Sequence, residues 1–228
     1  MTILVACEES QTVCKEFRKL GHTAYSCDIL PCSGGYPEWH IKEDVSRILN
    51  GNITFYTQEG KFHRVHGEWD MIIAHPPCTY LTVTGNRWFN VDKYGENAKE
   101  RIKNRNSAIC FFLKIANANC ERIAIENPVG FISTVWRKPD QIIQPYMFGD
   151  PYEKRTCLWL KGLSPLKETN RVTPEERVKS PSGCSMPKWY AELGWMRKEE
   201  RQRIRSKTFD GIAKAMSEQW GGICTTGH

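Results

Sequence analysis

No apolar run in the sequence approaches the roughly 20 residues that a membrane-spanning helix needs. The N-terminus, Met1 to Glu8, carries no basic leader, and its apolar run is too short for a signal peptide. These absences predict a cytoplasmic protein with no membrane partner. Repeats and low-complexity tracts are also missing. Acidic and basic residues nearly balance, with a net charge of +6 over 228 residues. A composition 40% apolar and 25% charged excludes a disordered chain. Paired zinc spacing is absent too. The best candidate ligands, His22, Cys27, Cys32 and His40, match no common site, so no metal is expected. In a reducing compartment the ten cysteines read as free thiols, and most of them as small apolar core residues.

One cysteine has a special setting. Met71 to Ala74 form a short apolar run of buried-strand type. Pro76 and Pro77 cannot donate to a sheet ladder, so the strand ends there and Cys78 follows on a stiff turn. The carboxyl edge of an open α/β sheet is where ligands bind, and a thiol held there is a candidate nucleophile.

Around it the chain alternates strands and helices. Thr2 to Cys7, a helix from Glu9 to Leu20 and Thr23 to Cys27 make a strand-helix-strand unit, hence a parallel sheet. Leu30 to Glu43 reads as loop, Asp44 to Leu49 as a short helical segment, and Gly51 to Gly67 as a surface excursion or hairpin. A long loop, Thr79 to about Gly95, precedes a helix from Asn97 to Ala116, whose Ile102, Ile109, Phe112 and Leu113 share a face. Arg122 to Ile125 is another buried strand running into Glu126. Gln141 to Gln144 and Thr156 to Leu160 read as strands, Ser164 to Pro187 as a loop or small insert, and Thr208 to Trp220 as a closing helix. The expected class is α/β: one doubly wound, mostly parallel sheet.

The two strand ends carry Cys78 and Glu126, and the long helix joins them. In a right-handed crossover both ends face one crevice, so a thiol and a carboxyl can meet. A thiolate can add to C6 of a pyrimidine while a nearby acid holds or protonates N3, which makes C5 nucleophilic. The thiol needs help to ionise, for which His75 or a nearby Arg or Lys is a candidate.

Here the chain resembles the DNA cytosine C5-methyltransferases. Their Gly-Pro-Pro-Cys-Gln motif is similar to His75-Pro76-Pro77-Cys78-Thr79, and their Glu-Asn-Val to Glu126-Asn127-Pro128. Their Gln-x-Arg-x-Arg motif has a reduced counterpart in Glu153-Lys154-Arg155-Thr156, and a late motif one in Gly211 to Ala215. Small phage and prophage members of the family are the most similar in kind. The resemblance implies a Rossmann-like methyltransferase fold with S-adenosylmethionine as cofactor, and a flipped cytosine held by Lys154 and Arg155 beside Cys78 and Glu126. It implies cofactor contacts from Ala6, Cys7, Glu8 and Ser10, from Asp28 and Ile29, from Asp44, and from His75 and Pro77. Helix capping is the structural alternative for Ser10 and Asp44. The catalytic domain would span 1–162 and 208–228. Only a small insert, 163–207, stands where a target-recognition domain is usual, and the first loop lacks the family's Phe-x-Gly-x-Gly pattern.

DNA, duplex or single-stranded, is the implied partner, alone or with a further protein or an oligomer for recognition. Arg87 and Trp88 lie where a loop could close over a flipped base. Trp195 to Lys207 carries +4 of the net charge, with Arg197, Lys198 and Arg201 as candidate phosphate contacts; a solvated helix face is the alternative. Trp189, Tyr190 and Trp195 could stack on bases or pack a subdomain. Three other readings stay open: an amino-methyltransferase, one-carbon transfer to cytosine in a nucleotide or RNA, and an inactive binding relative.

Overall fold

The computed structural model describes residues 1–180 and 183–222. In chain order they form β1 (Thr2–Ala6), α1 (Thr12–Lys19), β2 (Thr23–Asp28) and β3 (His40–Lys42). The pair β4 (Ile53–Tyr56) and β5 (Phe62–Val65) follows, then β6 (Met71–Ala74), α2 (Val91–Ala116) and β7 (Ile123–Pro128). Next come α3 (Ile132–Val135), β8 (Gln141–Ile143) and β9 (Thr156–Lys161). The chain then gives β10 (Arg177–Lys179), β11 (Ser185–Pro187), α4 (Lys188–Glu192), α5 (Lys198–Ser206) and α6 (Asp210–Met216).

Seven strands make one sheet in the order β3-β2-β1-β6-β7-β9-β8. From β3 through β7 all neighbours are parallel, while β9 runs antiparallel to both β7 and β8. This is a mixed α/β architecture compatible with a Rossmann-like fold. After β1 the chain winds to one side through β2 and β3, then returns to β1's other side with β6. That reversal opens a crevice at the carboxyl ends of β1 and β6.

Side-chain alternation along the strands feeds two cores. Ile3, Val5, Met71, Ile73 and Ala124 face α1 and α6, packing with Val13, Phe17, Ile212 and Met216. Leu4, Ala6, Ile72, Ala74, Ile123 and Ile125 face α2, with Phe112, Ile115 and Trp159. Burying each such large apolar side chain stabilises the fold by about 1.5–3 kcal/mol.

Several sequence expectations shift. α1 begins at Thr12, not Glu9, because Gln11 sits in the left-handed region (φ 58°). The segment read as loop contains β3, a three-residue strand pairing with Ser26 to Asp28. The loop after Cys78 is partly ordered as a 3₁₀ helix, Val83–Phe89, and α2 starts at Val91 with a break at Gly95 (φ 49°). The insert expected to start at 163 begins inside the core. Leu166 is buried there, Gln141 exchanges two hydrogen bonds with its backbone, and Trp220 donates to the Ser164 carbonyl. α6 is shorter than expected and ends in a π-turn, Ser217–Gly221; residues 223–228 of the expected catalytic domain lie outside the described residues. No helix among the described residues is long and apolar enough to cross a membrane.

Candidate active site

The parallel strands β6 and β7 part at one level: β6 ends at Ala74, while β7 runs on past the expected end at Ile125 to Pro128, held by β9. Ala74 of β6 pairs with Ile125 of β7, so His75 and Glu126 come next to each other at the sheet's carboxyl edge. The His75 N–H still reaches the Ala6 carbonyl of β1 (2.9 Å). Pro76 and Pro77 have no N–H to continue the ladder, and the chain turns away. The Cys78 carbonyl then accepts from the N–H groups of Leu81 (2.9 Å) and Thr82 (3.2 Å), which closes the turn. Asn127, 1% exposed, donates its Nδ2 to the Pro76 carbonyl at 2.8 Å and ties this turn to β7. A second tie joins the two loops, as Phe131 N–H donates to the Leu81 carbonyl (2.7 Å). Gly130 permits that approach: a Cβ there would stand 2.1 Å from the Leu81 oxygen.

The electrostatics separate the thiol from the carboxyl. Burial pushes the Cys78 thiol up, and the Glu126 charge pushes it further; Lys154 and Arg205 pull it part of the way back. Burial also works to raise Glu126. There the Lys154 charge, His75 and Thr156 outweigh it, so the carboxyl stays below its ordinary value. His75 Nδ1 lies 3.5 Å from Glu126 Oε2 and 3.4 Å from the Thr208 hydroxyl. At rest the proton therefore sits on sulfur, and Glu126 is a buried carboxylate beside it. The cations near the thiol are Lys154 and Arg205. The expectation that His75 would serve the thiol is corrected: its contacts are Glu126 and Thr208.

Lys154 is braced from outside. Its backbone N–H bonds Gln144 Oε1 (2.9 Å), and its ammonium approaches the Lys207 carbonyl (3.5 Å). Next to it, Glu153 pairs with Arg177 of β10, and its carbonyl accepts from the Trp189 indole at 3.2 Å. The insert thus holds the segment that carries Lys154. Arg155 is exposed, one residue beyond Lys154, and its charge acts on Cys157.

The other half of the crevice lies at the ends of β1, β2 and β3. Ala6 is fully buried, and Cys7 follows with φ 59°. Burial raises the Cys7 thiol, and the charges of Asp28 and Asp44 raise it further, so both acids flank that turn. Asp28 accepts from Leu30 N–H (2.9 Å), and burial lifts its carboxyl above the ordinary value. Asp44 accepts from Ser46 N–H (2.8 Å) and so caps a 3₁₀ turn as well. Ile29 stands 71% exposed at the rim. Acidic groups with an exposed apolar side chain fit a ligand bearing positive charge, hydroxyl donors and a flat ring. His75 Nε2 and Asn127 Oδ1, both buried, have no hydrogen-bond partner among the described residues.

Two first-loop residues are already engaged. Glu8, 4% exposed, accepts from the Val13 (2.6 Å) and Cys14 (3.2 Å) N–H groups at the start of α1. It is the helix's acidic cap. Burial raises its carboxyl, opposed by the His75 charge and those two amides. Ser10 meets the Thr12 hydroxyl at 3.2 Å and does not cap the helix. Pro77 is exposed on the turn. The four residues weighed for a metal do not gather: His40 sits between Ser26 Oγ and the Leu30 carbonyl (2.9 Å each), whereas His22 meets Gly222. Among the described residues no such cluster of three forms.

The basic segment meets the first loop and the thiol through Arg203 and Arg205, and leaves the candidate phosphate contacts outside. Arg197 and Lys198 are exposed, and none of Arg197, Lys198 and Arg201 reaches the described crevice groups. Arg203 instead pairs with Glu9 of the first loop at 3.5 Å, and Arg205, 4.3 Å over the Tyr190 ring, acts on Cys78. Trp189 packs against Tyr152 and Phe209, which settles it as a packing residue, whereas Trp195 is 95% exposed. Arg87 and Trp88 lie together, 4.7 Å apart, on the 3₁₀ segment beyond Cys78. Sequence reasoning missed Asn127, Thr156, Thr208, Arg203 and Arg205 as site residues. Only Asn127 left a signal, by following Glu126. No family model matches the chain, and no curated protein matches it.

Proposed function

We propose that the protein transfers a methyl group to C5 of cytosine in DNA, through addition of the Cys78 sulfur to C6. The observation that carries this reading is the placement of Cys78, on the turn after β6, beside Glu126, on β7 where its pairing with β6 ends, with the thiol raised and the carboxyl lowered while Lys154 acts on both. As the S–C6 bond forms, the C5–C6 π pair moves to C5. The thiol proton leaves sulfur and is shared by Glu126 and N3 of the ring. Lys154 holds Glu126 ionised beforehand and so keeps it able to receive that proton. His75 and Thr156 fix the carboxylate's orientation, and Thr208 stands against the His75 ring. After C5 has gained its methyl group, its proton goes to a base, the S–C6 bond breaks and the thiol recovers its proton.

S-adenosylmethionine, when bound, supplies an electrophilic methyl group. Asp28 and Asp44 would hold its hydroxyl and amino groups, Ile29 would cover its ring, and Cys7 would face its charged end. The sheet's switch point between β1 and β6 sets these residues and Cys78 along one crevice edge, which supports a methyltransferase of Rossmann-like type. The insert favours an unpaired target over a duplex read base by base: it is spent on bracing Lys154 and on reaching Glu9 through Arg203.

The test is mass spectrometry of DNA from cells producing the wild type or Cys78→Ala. 5-Methylcytosine is expected with the wild type alone. Its absence from both, together with no binding of S-adenosylmethionine by the purified protein, rejects the proposal.

A further inference from the structure

Four cations beyond the nucleophile turn have no acidic partner among the described residues. Arg87 and Lys93 sit on the 3₁₀ segment and the start of α2, and Arg101 and Arg105 lie on α2 itself. Elsewhere Arg47, Arg137, Arg171, Arg177 and Arg203 each pair with a carboxylate, while Arg18 of α1 too rests on two rings, apart from any such group. These four rest on aromatic rings instead. Arg105 Cζ lies 3.3 Å from the Phe89 centroid and 4.3 Å from that of Phe131. Arg101 lies 5.2 Å from both Tyr80 and Phe89, and its Nε is buried without a described hydrogen-bond partner. Arg87 covers Trp88 at 4.7 Å, and Lys93 covers Tyr94 at 5.5 Å. Two like charges four residues apart on a helix repel, and a buried charge without a counter-ion is costly. The arrangement calls for an anion from outside.

A groove receives it. Asn86, Arg87, Trp88, Asn90, Lys93 and Tyr94 line an open cavity of about 550 Å³. The Trp88 and Tyr94 rings stand 5.1 Å apart at 47°, a wedge rather than a closed stack. The groove is wired to the nucleophile: Arg105 donates Nη2 to Asn86 Oδ1 (2.7 Å) and Nε to the Tyr80 carbonyl (2.9 Å), two residues from Cys78. Cations interleaved with open aromatic faces match a strand whose bases are unstacked. A nucleoside monophosphate offers one phosphate, fewer than the cations Arg87, Lys93 and Arg101 on this face.

We propose that Arg87, Trp88, Lys93 and Tyr94, with Arg101, bind the phosphates and one unstacked base that flank the reacting cytosine in a single nucleic-acid strand, while the buried Arg105 holds Asn86 of the groove in place. The inference rests on the proposed cytosine chemistry and names the form of its substrate. Its test is fluorescence anisotropy of a labelled single strand, about 12 nucleotides long with one cytosine, titrated at several salt concentrations. Lys93→Gln and Trp88→Ala alter exposed side chains, so both variants keep the fold. Lys93→Gln, alone and with Arg101→Gln, is expected to lower the slope of log affinity against log salt by about 0.7 for each phosphate no longer neutralised. Trp88→Ala is expected to weaken binding about tenfold, as one base no longer stacks. Unchanged affinity and slope in all variants overturn the inference. Displacement of the strand by dCMP at matching concentration, or tighter binding of the duplex than of the single strand, overturns it too. Methyl transfer by the wild type to the same oligonucleotide is followed alongside. Transfer with unaltered variant binding removes the groove but leaves the chemistry. Impaired variant binding without any wild-type transfer removes the chemistry but leaves the strand surface.

Discussion

Asn127→Ala isolates the tie that holds the nucleophile turn. The side chain is 1% exposed, and its Nδ2 gives the Pro76 carbonyl its hydrogen bond at 2.8 Å. Removing the donor leaves a buried acceptor unsatisfied, which costs about 1–3 kcal/mol. Asn127→Leu keeps the volume filled and also removes the donor without burying a charge, so it separates the missing bond from the cavity. Both variants should unfold at lower urea with an unchanged slope, because the surface exposed on unfolding stays the same. Catalysis should suffer more than stability. Pro76 lies two residues from Cys78, and a displacement of about 1 Å at a reacting atom costs about a hundredfold in rate. Urea unfolding and single-turnover methyl transfer measure the two effects. A stability loss below about 0.5 kcal/mol in both variants, the ordinary scatter of a neutral change, with an unchanged rate, refutes the assignment of Asn127 as the clamp.

Lys154→Met removes the cation that lowers both Glu126 and Cys78, so the pH profile of Cys78 alkylation by iodoacetamide should move to higher pH; an unmoved profile counts against the coupling. Gly130→Ala would set a Cβ 2.1 Å from the Leu81 oxygen, and the forced separation of the two loops should cost about 1–3 kcal/mol in thermal unfolding; an unchanged midpoint contradicts the close approach. The Glu126 carboxyl lies below its ordinary 4.5 when folded, so its contribution to stability is present above that pH and fades as pH falls through the folded value. Glu126→Gln should therefore flatten the acid limb of stability below about pH 4.5, and an acid limb as steep as the wild type's argues against an ionised Glu126.

The Cys78–Glu126 pair is legible in the sequence because each member follows a short buried run. Met71 to Ala74 stop at two prolines, as local patterning sets; β7 runs on past Ile125 to Pro128, because its pairing with β9 carries Glu126, Asn127 and Pro128 in the sheet, a tertiary effect that the apolar pattern does not show. The crossover helix between them makes the strands neighbours. The parallel sheet is legible for the same reason. β3 is not, since only Ile41 among its three residues is apolar and its pairing to β2 is a tertiary effect. The antiparallel run of β9 is equally hidden, because periodicity carries no direction. Glu8 reads as a ligand contact by position, yet Gln11 in the left-handed region delays α1 and turns the Glu8 carboxylate onto its first amides. Arg203 and Arg205 are indistinguishable in sequence from Arg197 and Arg201. Only the docking of α5 against Glu9 and Tyr190 selects which side of the basic helix meets the crevice.

Covalent trapping tests the role of Cys78 most directly. The purified protein is incubated with S-adenosylmethionine and a single-stranded oligonucleotide carrying 5-fluorocytosine, then digested and mapped by mass spectrometry. The fluorine replaces the C5 hydrogen that must leave, so the S–C6 bond cannot be released. A methylated adduct on Cys78 is expected, present in the wild type and absent from Cys78→Ser. Methylation of the exocyclic amine, or an adduct that survives Cys78→Ser, contradicts the assignment of Cys78 as nucleophile.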